Sequence, residues 1–251
     1  MKYSGVYFDH VIEMLRGTIE REGANIDLCA DKIVETTCAG GRTYFFGCTH
    51  AGILAQEAFY RTGGLAIVNP ILPPGLTCDV TPITLTSALE RVDGLGRRIA
   101  DSIGFEPGDL LFVHSVSGRN AVPVELAVSA KERGTFVAAL TSLEYSKASS
   151  PRGALGKRLF EVADVVLDNG GCFGDADVEI EGFPQKVAPT STVVGAAIVN
   201  AIVAEAVARF VERGVNPPVF LSANIDGGDQ YNAEVLSKYA GQITYMGSPR
   251  K

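Results

Sequence analysis

The chain has 251 residues, with 22 Lys and Arg against 29 Asp and Glu, a net charge of −7. Apolar residues make up 46% and charged residues 20%, the balance of a globular chain that buries its own core. The acidic excess speaks against nucleic acid or an anionic membrane as the main partner, since both ask for a basic footprint, and no run of 18 or more apolar residues predicts a membrane-spanning helix. The N-terminal stretch carries acids within its apolar part and lacks a small-residue cleavage site, so it does not read as a signal peptide. The cysteines Cys29, Cys38, Cys48, Cys78 and Cys172 are scattered and show no C-x-x-C spacing. A reduced, cytoplasmic chain without disulfide framework, metal or cofactor is the expectation.

The first 40 residues predict two helices. One has an apolar stripe of Tyr7, Val11, Met14, Leu15 and Ile19, the other of Ile26, Leu28, Cys29, Ile33 and Val34, with a break at Gly23. Short β-rich runs follow at 43–46, 65–68, 110–113, 136–140 and 165–167, none cleanly alternating, as suits strands buried on both faces. Helical segments at roughly 50–62, 92–103 and 120–133 lie between them. This alternation predicts an α/β fold with right-handed crossovers and a parallel sheet between two helical layers. Residues 190–213 predict a long helix apolar nearly all round, buried in the core or against a second subunit, and stopped by Gly214 and Pro217-Pro218. Residues 221–231 read as a loop and a short helix runs from there to about Ala240. The chain is thus divided into 1–40, 41–213 and 214–251.

In a parallel sheet, ligands gather at the carboxyl ends of the strands. After the first strand comes Gly47-Cys48-Thr49-His50-Ala51-Gly52, where Gly47 allows a tight turn and a helix N-terminus offers free N–H groups to a phosphate. A plain strand-to-helix turn explains the same residues equally well. After the third run comes His114-Ser115-Val116-Ser117-Gly118-Arg119-Asn120, and after the fourth Thr141-Ser142-Leu143-Glu144-Tyr145-Ser146; Thr190-Ser191-Thr192 opens the long helix. One hydroxyl at such a junction is an ordinary cap, but four junctions converging on one sheet edge suit a phosphate held without formal charge. Neither a dinucleotide-binding glycine fingerprint nor a Walker motif is present, so the phosphate would belong to a small molecule. Lys186 and Arg119 are the cations expected to face it.

The segments 41–57, 109–120, 132–146, 163–170 and 186–198, in this order and spacing, resemble the sugar isomerase (SIS) domain family, and the whole chain is most similar to its single-domain, phosphoheptose-isomerase-like branch. The resemblance implies a three-layer αβα sandwich around a five-stranded parallel sheet of flavodoxin-like order, here with an N-terminal helical pair. It also implies a homodimer or homotetramer and a small phosphorylated sugar as ligand. Carried over to matching positions, Ser115, Ser117, Gly118 and Asn120 would form the phosphate cradle, joined by Thr141, Ser142, Ser146 and Thr192. The loop from Gly47 through Thr49 to Ala51 would lie against the sugar. Thr49 and Ala51 stand where the family commonly carries a glycine and a hydroxyl residue, and the glutamate that several of its enzymes carry before the last helix is replaced by Lys186 as nearest charge.

Aldose–ketose isomerisation needs a base poised near neutrality. His50 is the first candidate, with Glu57 two turns along the same helix as the second. His114, ending a buried strand, reads better as a core histidine, and His10 is a candidate to reach the site of a second subunit. The histidine spacings show no metal-ligand logic. Asp226-Gly227-Gly228-Asp229 is a tight acidic turn, either a plain loop or a closure over a sugar hydroxyl. Two functions remain: a phosphosugar isomerase, or a non-catalytic phosphosugar sensor.

Overall fold

The computed structural model describes residues 2–247; residue 1 and residues 248–251, the tips of the predicted terminal segments, lie outside it. The elements in chain order are α1 (Lys2–Cys38), β1 (Thr43–Gly47), α2 (Ile53–Ala58), β2 (Val68–Ile71), α3 (Thr84–Leu89), α4 (Leu95–Ile103), β3 (Leu110–His114), α5 (Ala121–Lys131), β4 (Phe136–Thr141), α6 (Leu143–Ala148), β5 (Val165–Asp168), β6 (Ala176–Val178), β7 (Val187–Pro189), α7 (Ser191–Glu212) and α8 (Gly228–Lys238). The first five strands form one parallel sheet of order β2-β1-β3-β4-β5, and β6 and β7 pair as a small antiparallel hairpin. The chain leaves β1 in one direction to reach β2 and in the other to reach β3, so the switch point lies between β1 and β3.

Apolar residues alternate along the strands and feed two cores. Phe45, Phe112, Leu140 and Leu167 pack with Leu54, Ile198 and Ile202 from α2 and α7 on one face. Tyr44, Phe46, Leu111 and Val113 pack with Ile99, Val122 and Leu126 from α4 and α5 on the other. These are the two helical layers that the alternating pattern predicts. In the sheet register Gly47 lies opposite His114, His114 opposite Leu140, and Thr141 opposite Asp168. The carboxyl ends of four strands are therefore level, and the loops after them start from one edge.

The helical pair is corrected to a single helix: α1 runs through Gly23 without a break. A glycine inside a helix costs about 1 kcal/mol relative to alanine, and tertiary contacts offset it. Ile26, Cys29 and Ile33 just beyond it are buried, and Arg209 of α7 reaches Asp27 at 2.7 Å and Asp31 at 3.0 Å. The second strand is displaced from 65–68 to 68–71 because the start of that run is engaged elsewhere. Leu65 bridges Val219, and the Ala66 N–H donates to the Pro218 carbonyl at 2.7 Å. The helix expected over 50–62 is a 3₁₀ turn at Thr49–Gly52 followed by the shorter α2, while α3, α6 and the β6–β7 hairpin went unpredicted.

Helix α7 is long and apolar enough to cross a membrane by length and composition. Here that character serves burial, since Val194, Ile198, Ile202, Ala206 and Phe210 pack into the core. The segment after α8 returns to the first crossover. Buried Asn69 accepts from the Thr244 N–H at 2.6 Å and donates to the Gln242 carbonyl at 2.8 Å. The Tyr245 hydroxyl donates to the Ala66 carbonyl at 2.7 Å, and Arg42 binds the Gly241 carbonyl through Nε and Nη2.

Helices α4 and α5 approach closely at Gly96, where a Cβ would lie 2.4 Å from the Val122 carbonyl oxygen and 2.9 Å from the Leu126 nitrogen. The Glu125 carboxylate accepts from the Gly94 and Gly96 N–H groups and satisfies the start of α4. Gly96→Ala is expected to force the two helices apart and destabilise the fold by about 1–3 kcal/mol, read as a lower urea midpoint at unchanged slope.

Candidate functional site

The first loop at the level edge is shaped by Gly47. A Cβ there would stand 2.4 Å from the Ala51 carbonyl oxygen, so only glycine lets the 3₁₀ turn fold back on the strand. Thr49 follows with φ +55°, a left-handed conformation that costs a β-branched residue about 1–3 kcal/mol. Its N–H donates to the Leu76 carbonyl at 2.8 Å. His50 is exposed, with Nδ1 3.8 Å from the Cys78 sulfur. Glu57 forms an ion pair with Arg61 at the far end of α2. The two base candidates are thus engaged separately, one by a thiol and one by a guanidinium.

His114 ties this loop to the next strand. Its Nδ1 lies 3.0 Å from the Ala51 carbonyl oxygen, an acceptor, which makes Nδ1–H the donor. The ring is 4% exposed, and Nε2 is buried without a partner among the described residues. It borders a void of ≈ 10 Å³ with Phe45, Leu54, Leu140 and Val199. Burial pushes its pKa down to about 4, only partly opposed by the bond to Ala51 and the charge of Asp175. His114 is a neutral histidine built into the core.

Beyond it the Ser115–Asn120 loop is held by its neighbours. Thr141 is buried and its hydroxyl donates to the Val116 carbonyl at 2.9 Å. The Ser115 N–H donates to the Leu140 carbonyl at 3.0 Å. Gly118 sits at φ +59° and a Cβ there would meet the Ser146 hydroxyl oxygen at 2.7 Å. Asn120 donates to Glu90 at 2.7 Å and accepts from Arg152 at 3.3 Å, so its amide does not cap α5, whose Val122 N–H donates instead to the Glu90 carbonyl at 3.2 Å. Burial raises the pKa of Glu90. Arg119 reaches Ser150 at 3.3 Å. Ser142 caps α6, accepting from the Tyr145 N–H at 3.0 Å while its hydroxyl donates to the Gly171 carbonyl.

The hydroxyls therefore divide. Those of Thr141 and Ser142 are bonded to backbone and shape the loops. The Ser146 hydroxyl is fully buried and has no partner among the described residues. Among the other buried groups in that condition are the Thr190 hydroxyl at the start of α7 and the Asn169 amide nitrogen after β5. Asn169 is positioned by its N–H to the Thr141 carbonyl at 3.0 Å and by the Gly171 N–H to its own Oδ1 at 2.9 Å. Neighbouring Ser191 is bound through N–H and hydroxyl by Asp175, itself at φ +65°. Thr192 lies half-buried in the first turn of α7.

The remaining candidates lie elsewhere. Lys186 is exposed on the β6–β7 hairpin, 3.5 Å from Glu179. His10 on α1 pairs within its own chain, Nδ1 2.7 Å from Asp177. The acidic turn has Gly227 at φ +81° and Gly228 tight against the Ser222 carbonyl. Asp229 borders a pocket with Tyr60, Arg61 and Thr62, beside the turn that leads into β2. Asn169 and Asp175 escaped the sequence reading because a buried amide without a partner is a three-dimensional property; the polar turn directly after a strand was the available signal.

The SIS domain family profile matches residues 6–142. UPF0309 protein OB3413 of Oceanobacillus iheyensis is 48% identical over 246 residues, covering 98% of this chain and 100% of that protein. Among solved structures, a phosphoheptose isomerase from Francisella tularensis is similar with a TM-score of 0.51 at 20% identity, over 80% of this chain and 95% of that one. Phosphoheptose isomerase GmhA from Neisseria gonorrhoeae gives a TM-score of 0.50 at 18% identity, over 81% and 94%. At these identities the structural likeness is one of fold.

A neutral buried histidine makes stability depend on pH. With the ordinary value of 6.5 in the unfolded chain and about 4 in the fold, the unfolded state binds more protons between these limits. Stability is full above 6.5, falls as pH drops toward 4, and levels off below, a loss of about 3 kcal/mol from this group. His114→Leu is expected to flatten that part of the profile, measured by urea unfolding at successive pH values.

Proposed function

The chain belongs to the SIS domain family, and on that footing we propose that its sheet edge binds a small phosphorylated sugar, with aldose–ketose isomerisation as the reaction and His50 as the base. The observation that carries the binding reading is that, of the buried side-chain atoms without partners among the described residues, Ser146 Oγ, Asn169 Nδ2 and Thr190 Oγ1 belong to the segments that follow β4, β5 and β7. Each buried polar group left unsatisfied costs about 1–3 kcal/mol, and an acceptor-rich phosphate oxygen relieves that cost. The hydroxyls of Ser115 and Ser117 on the loop before α5 add donors without adding charge. Gly118 supports the same reading, since a side chain there would press on Ser146. Two proteins of similar fold carry the name phosphoheptose isomerase. In this reading residues 41–213 hold the ligand and the flanking segments support them.

A second reading, a non-catalytic phosphosugar sensor, is favoured by the ion pair of Glu57 with Arg61 and by the pairing of His10 with Asp177. Both groups are committed to structure, which leaves His50 to act without a carboxylate partner among the residues first considered. The two readings share the binding step and differ in turnover.

Thermal unfolding with a panel of sugar phosphates tests the shared step. A phosphosugar at 100 times its dissociation constant is expected to stabilise the fold by about 2.7 kcal/mol, and the unphosphorylated sugars are expected to leave it unchanged. Ser146→Ala and Thr190→Val should keep or raise the stability of the free protein, because each removes an unsatisfied buried hydroxyl, while each weakens phosphosugar binding about tenfold. Equal response to sugars with and without phosphate defeats the proposal. For the sugar phosphate that binds, exchange of its C2 proton in deuterated water, lost in His50→Gln, establishes the isomerase; binding without exchange establishes the sensor.

A further inference from the structure

Glu90 closes the C-terminal end of α3, an element that went unpredicted, so it is absent from the sequence candidates. Neighbours hold it on several sides. Its N–H donates to the carbonyl of buried Thr86 at 3.0 Å, and its own carbonyl accepts from the Val122 N–H in the first turn of α5 at 3.2 Å. Its side chain is half-buried, and Oε1 accepts from the Asn120 amide at 2.7 Å. Asn120 is in turn held by Arg152, which donates to its Oδ1 at 3.3 Å. The carboxylate thus stands beside the loop that follows β3. It is also close to the loop that follows β1, because its charge adds to burial in pushing up the pKa of Cys48, two residues before His50. The switch point of the sheet lies between these two strands.

Other carboxylates near this edge are committed to structure. Asp168 accepts from the Leu143 and Gly170 N–H groups, Asp175 from the N–H and hydroxyl of Ser191, Glu144 from the Phe173 N–H, and Glu57 is paired with Arg61. Glu90 keeps Oε2 without a hydrogen bond or ion pair among the described residues. Burial raises its pKa, opposed by the more distant charges of Arg91 and Arg152. A carboxyl kept protonated above its ordinary range can both give and take a proton, as the oxygens of a rearranging sugar require.

Resting on the isomerase reading given above, we propose that Glu90 is the second acid–base group of the site, moving the proton between the sugar's two oxygens while His50 moves the one on carbon. His50 removes the C2 proton of the aldose, and that electron pair forms the C1=C2 bond. The carbonyl π pair becomes an O1–H bond with the proton of the Glu90 carboxyl. The Glu90 carboxylate then takes the proton of the C2 hydroxyl, the O2–H pair closes the ketone, and the C1=C2 pair takes the proton back from His50 at C1. Both groups end as they began, and no co-reactant is consumed. Asn120 and Arg152 orient the carboxyl.

Glu90→Gln in the full chain tests the assignment, since glutamine keeps an oxygen for Asn120 and carries no acidic proton. The probes are pentose, hexose and heptose aldose phosphates. For a probe that binds, the variant should show the same ligand-induced shift in unfolding temperature, while C2 proton exchange in deuterated water falls about 100-fold. Without ligand, the variant should unfold at a higher urea midpoint at about pH 8. Above the ordinary value of 4.5 the unfolded chain ionises freely while the fold resists, so this group withdraws stability as pH rises, and glutamine does not. A carboxylate with a purely structural role predicts a lower midpoint instead. Exchange at the unsubstituted rate, or a lower midpoint, overturns the inference and leaves the isomerase reading standing. If the unsubstituted protein binds none of the probes, or binds them without C2 exchange, the isomerase reading falls and the inference with it.

Discussion

The imidazole of His114 closes β3 and donates to the carbonyl of Ala51, so the turn after β1 and the end of β3 are fixed to each other across the switch point. That bond needs a proton on Nδ1, and because burial keeps the ring neutral it leaves Nε2 without one. Gly47 lies directly opposite His114 in the register and allows the turn to fold back far enough for Ala51 to present its carbonyl. The following loops inherit this reference point. Ser115 bonds to Leu140, Thr141 to Val116 and Asn169 to Thr141, a chain of contacts that passes from β3 to β5 along the sheet edge.

Along that edge polar groups do two kinds of work. Thr141, Ser142 and Asn120 hold loops, each with a definite partner in the protein. Ser146, Thr190 and Asn169 each keep one buried side-chain atom without a partner among the described residues.

Much of the fold was legible in the sequence because parallel strands buried on both faces have a composition that solvent-exposed segments lack. LLFV and FVAAL gave β3 and β4 at nearly their true bounds. The errors came where tertiary contacts overrode local signals. Gly23 is a helix breaker by propensity, yet α1 passes through it because both sides are anchored on the core. LAIV has strand composition, yet its first residues pair with the segment around Val219. The loops named from sequence after the first, third and fourth runs do follow β1, β3 and β4, while Thr190 follows β7, a strand without a clear sequence signal. Which side chains within a junction are free was not legible, since Thr141 and Ser146 look alike in one dimension and differ in their partners. His114 read as a core histidine, and the structure agrees.

The grip of Asn69 on residues 242 and 244 has a consequence for the order of assembly. During synthesis β1 and β2 leave the ribosome early, but the groups that satisfy the Asn69 side chain and cover Ala66 are made some 175 residues later, as the separation of Asn69 from Thr244 records. Until then the outer strand of the sheet carries a buried-type amide with incomplete partners. Contacts of such long sequence separation are slow to form, so the edge of the sheet farthest from β5 is the last part of it to be completed.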